Sequence, residues 1–130
     1  MNDDVAVWLN YATENYQAAE ILLGGGLLNP SLQNSQQTVE KALKAVRVHH
    51  RMGVKRTHSI RDLNRDLLAA GLDVGLAQDE CELLDSIYTG ARYPGDSVFA
   101  AFPPDRAVAS QCLELAGRTL SAARRIAKFP

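Results

Sequence analysis

Two stretches of the chain carry mostly apolar residues at a strict 4-3-4-3-4 spacing. One runs through Leu32, Gln36, Val39, Leu43, Val46 and His50, the other through Val108, Cys112, Leu115, Thr119, Ala122 and Ile126. That spacing puts one face of an α-helix against a core, and no window alternates with period two for long enough to make a strand. Further helices follow the same pattern. The first is expected over residues 4–23, with Val5, Trp8, Ala12, Ala19 and Leu22 inward and Gly24-Gly25-Gly26 as its stop. Asn29-Pro30 reads as an N-cap followed by proline in the first turn of the second helix, which ends near Met52-Gly53. Ser59 with Asp62 resembles a capping box, opening a short third helix with Ile60, Leu63 and Leu67 that closes at Gly71. The fourth is expected over residues 76–91, with Leu76, Leu83, Leu84, Ile87 and Tyr88 inward and Pro94-Gly95 as its end. Pro103-Pro104-Asp105 starts the fifth. The predicted fold is all-α: an antiparallel up-and-down four-helix bundle with an additional short helix, as a single domain over residues 1–130. Between the fourth and fifth helices, Val98, Phe99 and Phe102 need cover from the bundle or from a second subunit.

Composition narrows the function classes. The longest apolar stretch is only a few residues, so no membrane span fits. The start carries Asp3 and Asp4 where a signal peptide would be basic, and a cytoplasmic protein is expected. Cys81 and Cys112 have neither metal-ligand nor disulfide spacing, and both fall in apolar helical patterns, as buried thiols do. A net charge of −1 argues against a general polyanion binder. The charges are nonetheless segregated. Residues 1–40 hold five acids and no base, whereas residues 41–65 hold eight bases and only Asp62 as an acid, together with His49, His50 and His58. Residues 66–96 turn acidic again, with Arg92 the lone base, and the tail is basic through Arg118, Arg124, Arg125 and Lys128. Such blocks pair with one another in the fold or form a dipolar surface for a partner.

On the second helix Gln33, Gln37, Glu40, Lys44, Arg47 and Arg51 form a polar stripe beside the apolar face, with Lys41 further round. Side chains there either cover the edge of the core and pair with acids on the fourth helix, or line a cleft that faces a phosphate. Glu40 and Lys44 stand at i and i+4 in the favourable order for a pair within the helix.

The segment Gln36-Gln37-Thr38-Val39-Glu40-Lys41-Ala42-Leu43-Lys44-Ala45 resembles the signature of the HEPN domain family, named for higher eukaryotes and prokaryotes nucleotide-binding. Three further pieces are similar in order: Trp8-Leu9 with Tyr16-Gln17-Ala18-Ala19-Glu20; Thr57-His58-Ser59-Ile60 with Leu63; and Tyr88 with Ala91-Arg92-Tyr93-Pro94. The resemblance covers about residues 5–125. It implies a helical bundle, usually a homodimer, that associates with a small nucleotidyltransferase encoded nearby or acts as half of a toxin–antitoxin pair. It points to Lys41, Lys44, His58, Arg92 and Tyr93 as residues for a nucleotide or an RNA phosphate. Ribonucleases of the family resemble one another in an Arg followed, after four to six residues, by a His. Arg51 and His58 have that spacing here. In such a pair, His moves the proton and Arg meets the anionic phosphorane.

Other chemistry has little footing in the sequence. Adjacent His49 and His50 point about 100° apart on a helix, so no metal site is expected. No cofactor is expected either, since Gly24-Gly25-Gly26 ends a helix where a phosphate loop would precede one with a Lys. Neither Ser97 nor Ser110 sits in the setting of a nucleophile. Three readings remain: a HEPN-type module that binds a partner and a nucleotide or RNA phosphate, a metal-independent ribonuclease toxin using Arg51 and His58, and a purely structural dimerisation bundle.

Overall fold

The computed structural model describes residues 3–53, 55–92 and 105–130, with side chains for 4–53, 55–88 and 105–130. Among these residues the chain is all-α, with five helices: α1 Asp3–Gly24, α2 Leu28–His49, α3 Ile60–Ala69, α4 Gln78–Arg92 and α5 Arg106–Ala127. The expected cover for Val98, Phe99 and Phe102, and the prolines at 94, 103 and 104, lie outside the described residues.

Helix α2 is the hub and packs against each of the other four. Its Leu32, Val39, Leu43 and Val46 are fully buried, as the spacing predicts, and Gln36 is buried with them. His50 is the exception: α2 stops at His49, and His50 is exposed. The reversal follows at once, through positive φ at Arg51 (55°) and Gly53 (82°). On α1 the fully buried set includes Leu9, while Trp8 and Leu22 sit at the margin of the core.

The turn between α1 and α2 is tighter than expected. The backbone N–H of Leu27 bonds to the carbonyl of Leu22 (2.9 Å), with Gly26 at φ 77°. This closure lets α2 begin at Leu28, so Leu27, not Asn29, holds the N-cap position, without a side-chain cap. Pro30 then lies inside the first turn, where its missing N–H is one that a helix leaves unpaired anyway. The other caps follow the sequence. Ser59 Oγ accepts from Asp62 N–H (3.1 Å) and Asp105 Oδ1 from Val108 N–H (2.9 Å). Helix α4 starts at Gln78, two residues later than expected, and Leu76 is buried ahead of it.

Direction follows from contacts. Ser31 Oγ donates to the Ala19 carbonyl (2.9 Å) and Lys44 lies over the Trp8 ring (5.6 Å), so α1 and α2 are antiparallel. Arg106 reaches the Leu23 carbonyl (3.2 Å) and Arg124 reaches Thr13 Oγ1 (2.6 Å), so α1 and α5 are antiparallel too. Helices α2 and α5 therefore run parallel. Close approach of α1 and α5 needs Gly117, where a Cβ would stand 2.9 Å from the Tyr16 hydroxyl. Helices α3 and α4 form an antiparallel hairpin against α2, with Asp85 near Ser59 and Leu76 near Asn64.

Both cysteines are free and buried. Burial pushes the Cys81 thiol up to about 11 and that of Cys112 to about 12, so both stay protonated at neutral pH. Among the described residues no helix is long and apolar enough to cross a membrane.

The charge blocks partly neutralise each other, with different partners from those expected. Arg47 of α2 pairs with Asp66 of α3 (3.1 Å), not with an acid of α4, and Lys55 joins the same carboxylate (2.8 Å). Asp66 is consequently held below the usual carboxylate range, first by the Lys55 hydrogen bond. The fourth helix instead supplies Glu80 to Arg118 of α5 (3.1 Å).

Candidate functional site

The polar stripe of α2 turns inward at Glu40. Its side chain is only 4% exposed, so the carboxylate requires partners to remain charged there. It has three. Lys44, one turn on, donates from Nζ to Oε2 (3.0 Å), and Gln36, one turn back, donates from Nε2 to Oε1 (3.4 Å). His58 approaches from the loop before α3, with Nδ1 at 3.2 Å from both oxygens. Gln37 extends the chain by donating to Gln36 Oε1 (2.7 Å). The spacing of Gln36, Glu40 and Lys44, four residues apart each time, is what aligns them on one face.

The His58 ring is fixed on a second side. It stacks on Tyr88 of α4 with ring centres 4.8 Å apart and planes 17° from parallel. An ionised carboxylate can only accept, so Nδ1 carries the hydrogen. Nε2 has no partner among the described residues, and the side chain is 53% exposed. The ring is thus oriented by Glu40, braced by Tyr88, and open at the nitrogen that can accept a proton or, once protonated, donate one.

The remaining residues of the sequence reading fall in different places. Lys44 is in the cluster, but its ammonium is committed to Glu40 and its side chain is 11% exposed. Lys41 points away toward α1, donating to Asn15 Oδ1 (2.7 Å) 5.7 Å from the Tyr11 ring centre. Desolvation there lowers its pKa, with Glu40 and Glu14 opposing the shift. Arg92 ends α4, four residues after Tyr88; its side chain and the whole of Tyr93 lie outside the described residues. Arg51 is exposed just beyond the end of α2, in the left-handed region. The stretch from Glu40 to His49 climbs about 14 Å along the axis, so His58 folds back beside the middle of α2 while Arg51 stays at its end.

Two contributors were missed in the sequence. Gln36 reads as a core position and is in fact a hydrogen-bond donor to Glu40. Asp85, which accepts from the Ile60 N–H two residues after His58 (2.7 Å), has no motif around it; only its position three residues before Tyr88 on the same helix face hints at a shared task.

A family model described as HEPN domain matches residues 5–126. The chain belongs to the HEPN domain family. Every residue of the cluster, from Trp8 and Gln36 to His58 and Tyr88, lies within the matched span, as do Arg51, Arg92 and Tyr93. Two solved structures are similar along nearly their whole length. The structure of TT1696 from Thermus thermophilus is 30% identical, with a TM-score of 0.76, over 97% of this chain and 99% of that one. The structure of ST0689, an archaeal HEPN homologue, is 26% identical, with a TM-score of 0.69, over 94% of this chain and 97% of its own. No curated protein matches the chain.

Proposed function

We propose that this HEPN domain binds a nucleotide or RNA phosphate at His58 and works as the homodimeric, partner-binding half of a toxin–antitoxin-like pair with a small nucleotidyltransferase. The observation that carries the reading is the His58 ring, oriented by buried Glu40 and braced on Tyr88, with Nε2 left open. Protonated at Nε2, the ring donates to a phosphate oxygen. Arg92, which ends α4, and Tyr93, next in the sequence, are the companions for that anion that the family resemblance implies. Lys44 neutralises Glu40 and so keeps that carboxylate from repelling the anion. Lys41 holds α1 to α2 and stands at the edge of the site.

Calorimetric titration with ATP and with a short single-stranded RNA at low salt tests this. The wild-type chain is expected to bind, and His58→Ala and Arg92→Ala are each expected to weaken binding about five-fold or more. Absent binding, or affinity unchanged in both variants, overturns the proposal. Co-expression with a small nucleotidyltransferase encoded nearby, followed by size-exclusion chromatography, tests the partner: a co-eluting complex supports it and separate elution removes it.

The same ring supports a second reading. A histidine with a carboxylate on Nδ1 and a free Nε2 is arranged for proton transfer, as a metal-independent ribonuclease using Arg51 and His58 requires. Dimerisation would have to bring the two residues together, since one chain holds them apart. RNA degradation in EDTA that is lost in both His58→Ala and Arg51→Ala supports this reading, and intact RNA removes it.

A further inference from the structure

The first turn of α3 leaves four backbone N–H groups without helical partners, and each is satisfied in a definite way. Ser59 N–H bonds to Thr57 Oγ1 (3.1 Å) and Asp62 N–H to Ser59 Oγ (3.1 Å), both local. The other two reach another helix. Ile60 N–H donates to Asp85 Oδ1 (2.7 Å) and Arg61 N–H to Asp85 Oδ2 (3.2 Å), and Ser59 Oγ lies 3.4 Å from the same oxygen. Asp85 of α4 is therefore a tertiary cap on α3. Burial raises its carboxyl above the usual range, and the three hydrogen bonds oppose that rise.

The place of this cap matters more than its strength. His58 directly precedes the capped residues Ser59, Ile60 and Arg61. Tyr88 stands three residues after Asp85, on the same face of α4. One helix face thus grips consecutive residues of one segment: the ring of Tyr88 takes the His58 imidazole, and the carboxylate of Asp85 takes the amides that follow. With the backbone pinned at Ile60, the imidazole is carried to Glu40 at a fixed depth. Without the pin, Ser59 still caps α3 locally, but no hydrogen bond among the described residues ties the start of α3 to α4.

We infer that Asp85 is the positioning residue for His58, setting the ring between Glu40 and Tyr88 through the α3 amides. This inference rests on the reading of His58 as the working group, but its first measurement does not. Nitrogen-detected NMR of the imidazoles reports which His58 nitrogen carries the hydrogen, and ring protons report stacking on Tyr88. In the wild-type chain His58 is expected as the Nδ1–H form with ring protons shifted by Tyr88. In Asp85→Ala that form is expected to give way to a mixture and the Tyr88 shift to shrink. Asp85→Asn keeps an acceptor for Ile60 N–H and is expected to retain most of both signals. Ser59→Ala, which removes the local cap, is expected to lower the melting temperature while leaving the His58 signals in place. His58 signals unchanged in Asp85→Ala overturn the inference, as does an equal loss of them in Ser59→Ala. If Asp85→Ala does not fold, Asp85→Ser replaces it in the same comparison. ATP titration then separates the two proposals. Displaced His58 signals in Asp85→Ala beside a wild-type chain that binds no ATP keep the positioning role and remove the phosphate site. ATP affinity falling about ten-fold with His58 unmoved does the reverse.

Discussion

Helices α1, α2 and α5 join one another mainly through apolar and small side chains: Leu9, Ala12, Ala19, Leu43, Ala45, Ala116, Ala123 and the glycine at 117. The α3–α4 hairpin also buries Ile60, Leu63, Leu67, Leu84 and Ile87. It is fastened in addition by charged contacts: Arg47 and Lys55 on Asp66, Asp85 on the α3 amides, and His58 on Glu40. The first group makes a scaffold whose cohesion scales with buried area and hardly depends on protonation. The second is a polar fastening that responds to pH and salt. The candidate site lies on the seam between them, with Glu40 on the scaffold and His58 on the hairpin.

The strongest test of this contrast is the Glu40–Lys44 pair. Glu40→Met leaves a buried ammonium uncompensated and is expected to cost about 4 kcal/mol in urea denaturation. Glu40→Met/Lys44→Met should recover most of that loss while His58 loses its carboxylate partner. Full recovery of nucleotide binding by the double variant would mean that the pair serves folding alone. Next, Leu43→Ala on the scaffold is expected to cost about 3 kcal/mol, by the same amount at low and high salt. A salt-dependent loss would erase the distinction between the two regions. Gly117→Val drives a side chain into Tyr16 and should cost about 2 kcal/mol, measured as a lower thermal midpoint. The smallest effect belongs to the hairpin. Asp66→Asn is expected to cost about 1 kcal/mol at neutral pH. Because the folded-state pKa of Asp66 is depressed, its contribution is complete above the ordinary carboxylate range and is lost as pH falls through the depressed value. The stability difference between wild type and variant should therefore close in acid, as pH falls below the ordinary carboxylate range, and a pH series of melts would record it.

Much of the scaffold was legible because helix periodicity is a local property. The burial of Leu32, Val39, Leu43, Val46, Cys112, Leu115, Thr119 and Ala122 follows from spacing alone. His50 departs from the pattern because periodicity does not announce where a helix stops; the left-handed residue at 51 does that. The same distinction governs the site. Glu40 and Lys44 meet within one helix, and their pairing can be read from a four-residue interval. The Glu40–His58 contact needs the loop to fold back along α2, and the Asp85 cap needs a hairpin to close over twenty-five residues. Arg51 and His58 match a family spacing in sequence, but the place of Arg51 at the end of α2 and of His58 beside Glu40 depends on the reversal between them.

The parallel course of α2 and α5 bears on the uneven distribution of charge along the chain. Two helices pointing the same way bring the negative poles of their peptide dipoles to the same side of the molecule, where antiparallel neighbours would cancel. Arg47 and His49 occupy the last turn of one, Arg124 and Arg125 the last turn of the other. Arg47, Arg124 and Arg125 in those turns oppose the negative poles, so part of the basic character of both segments is counterweight to the backbone itself.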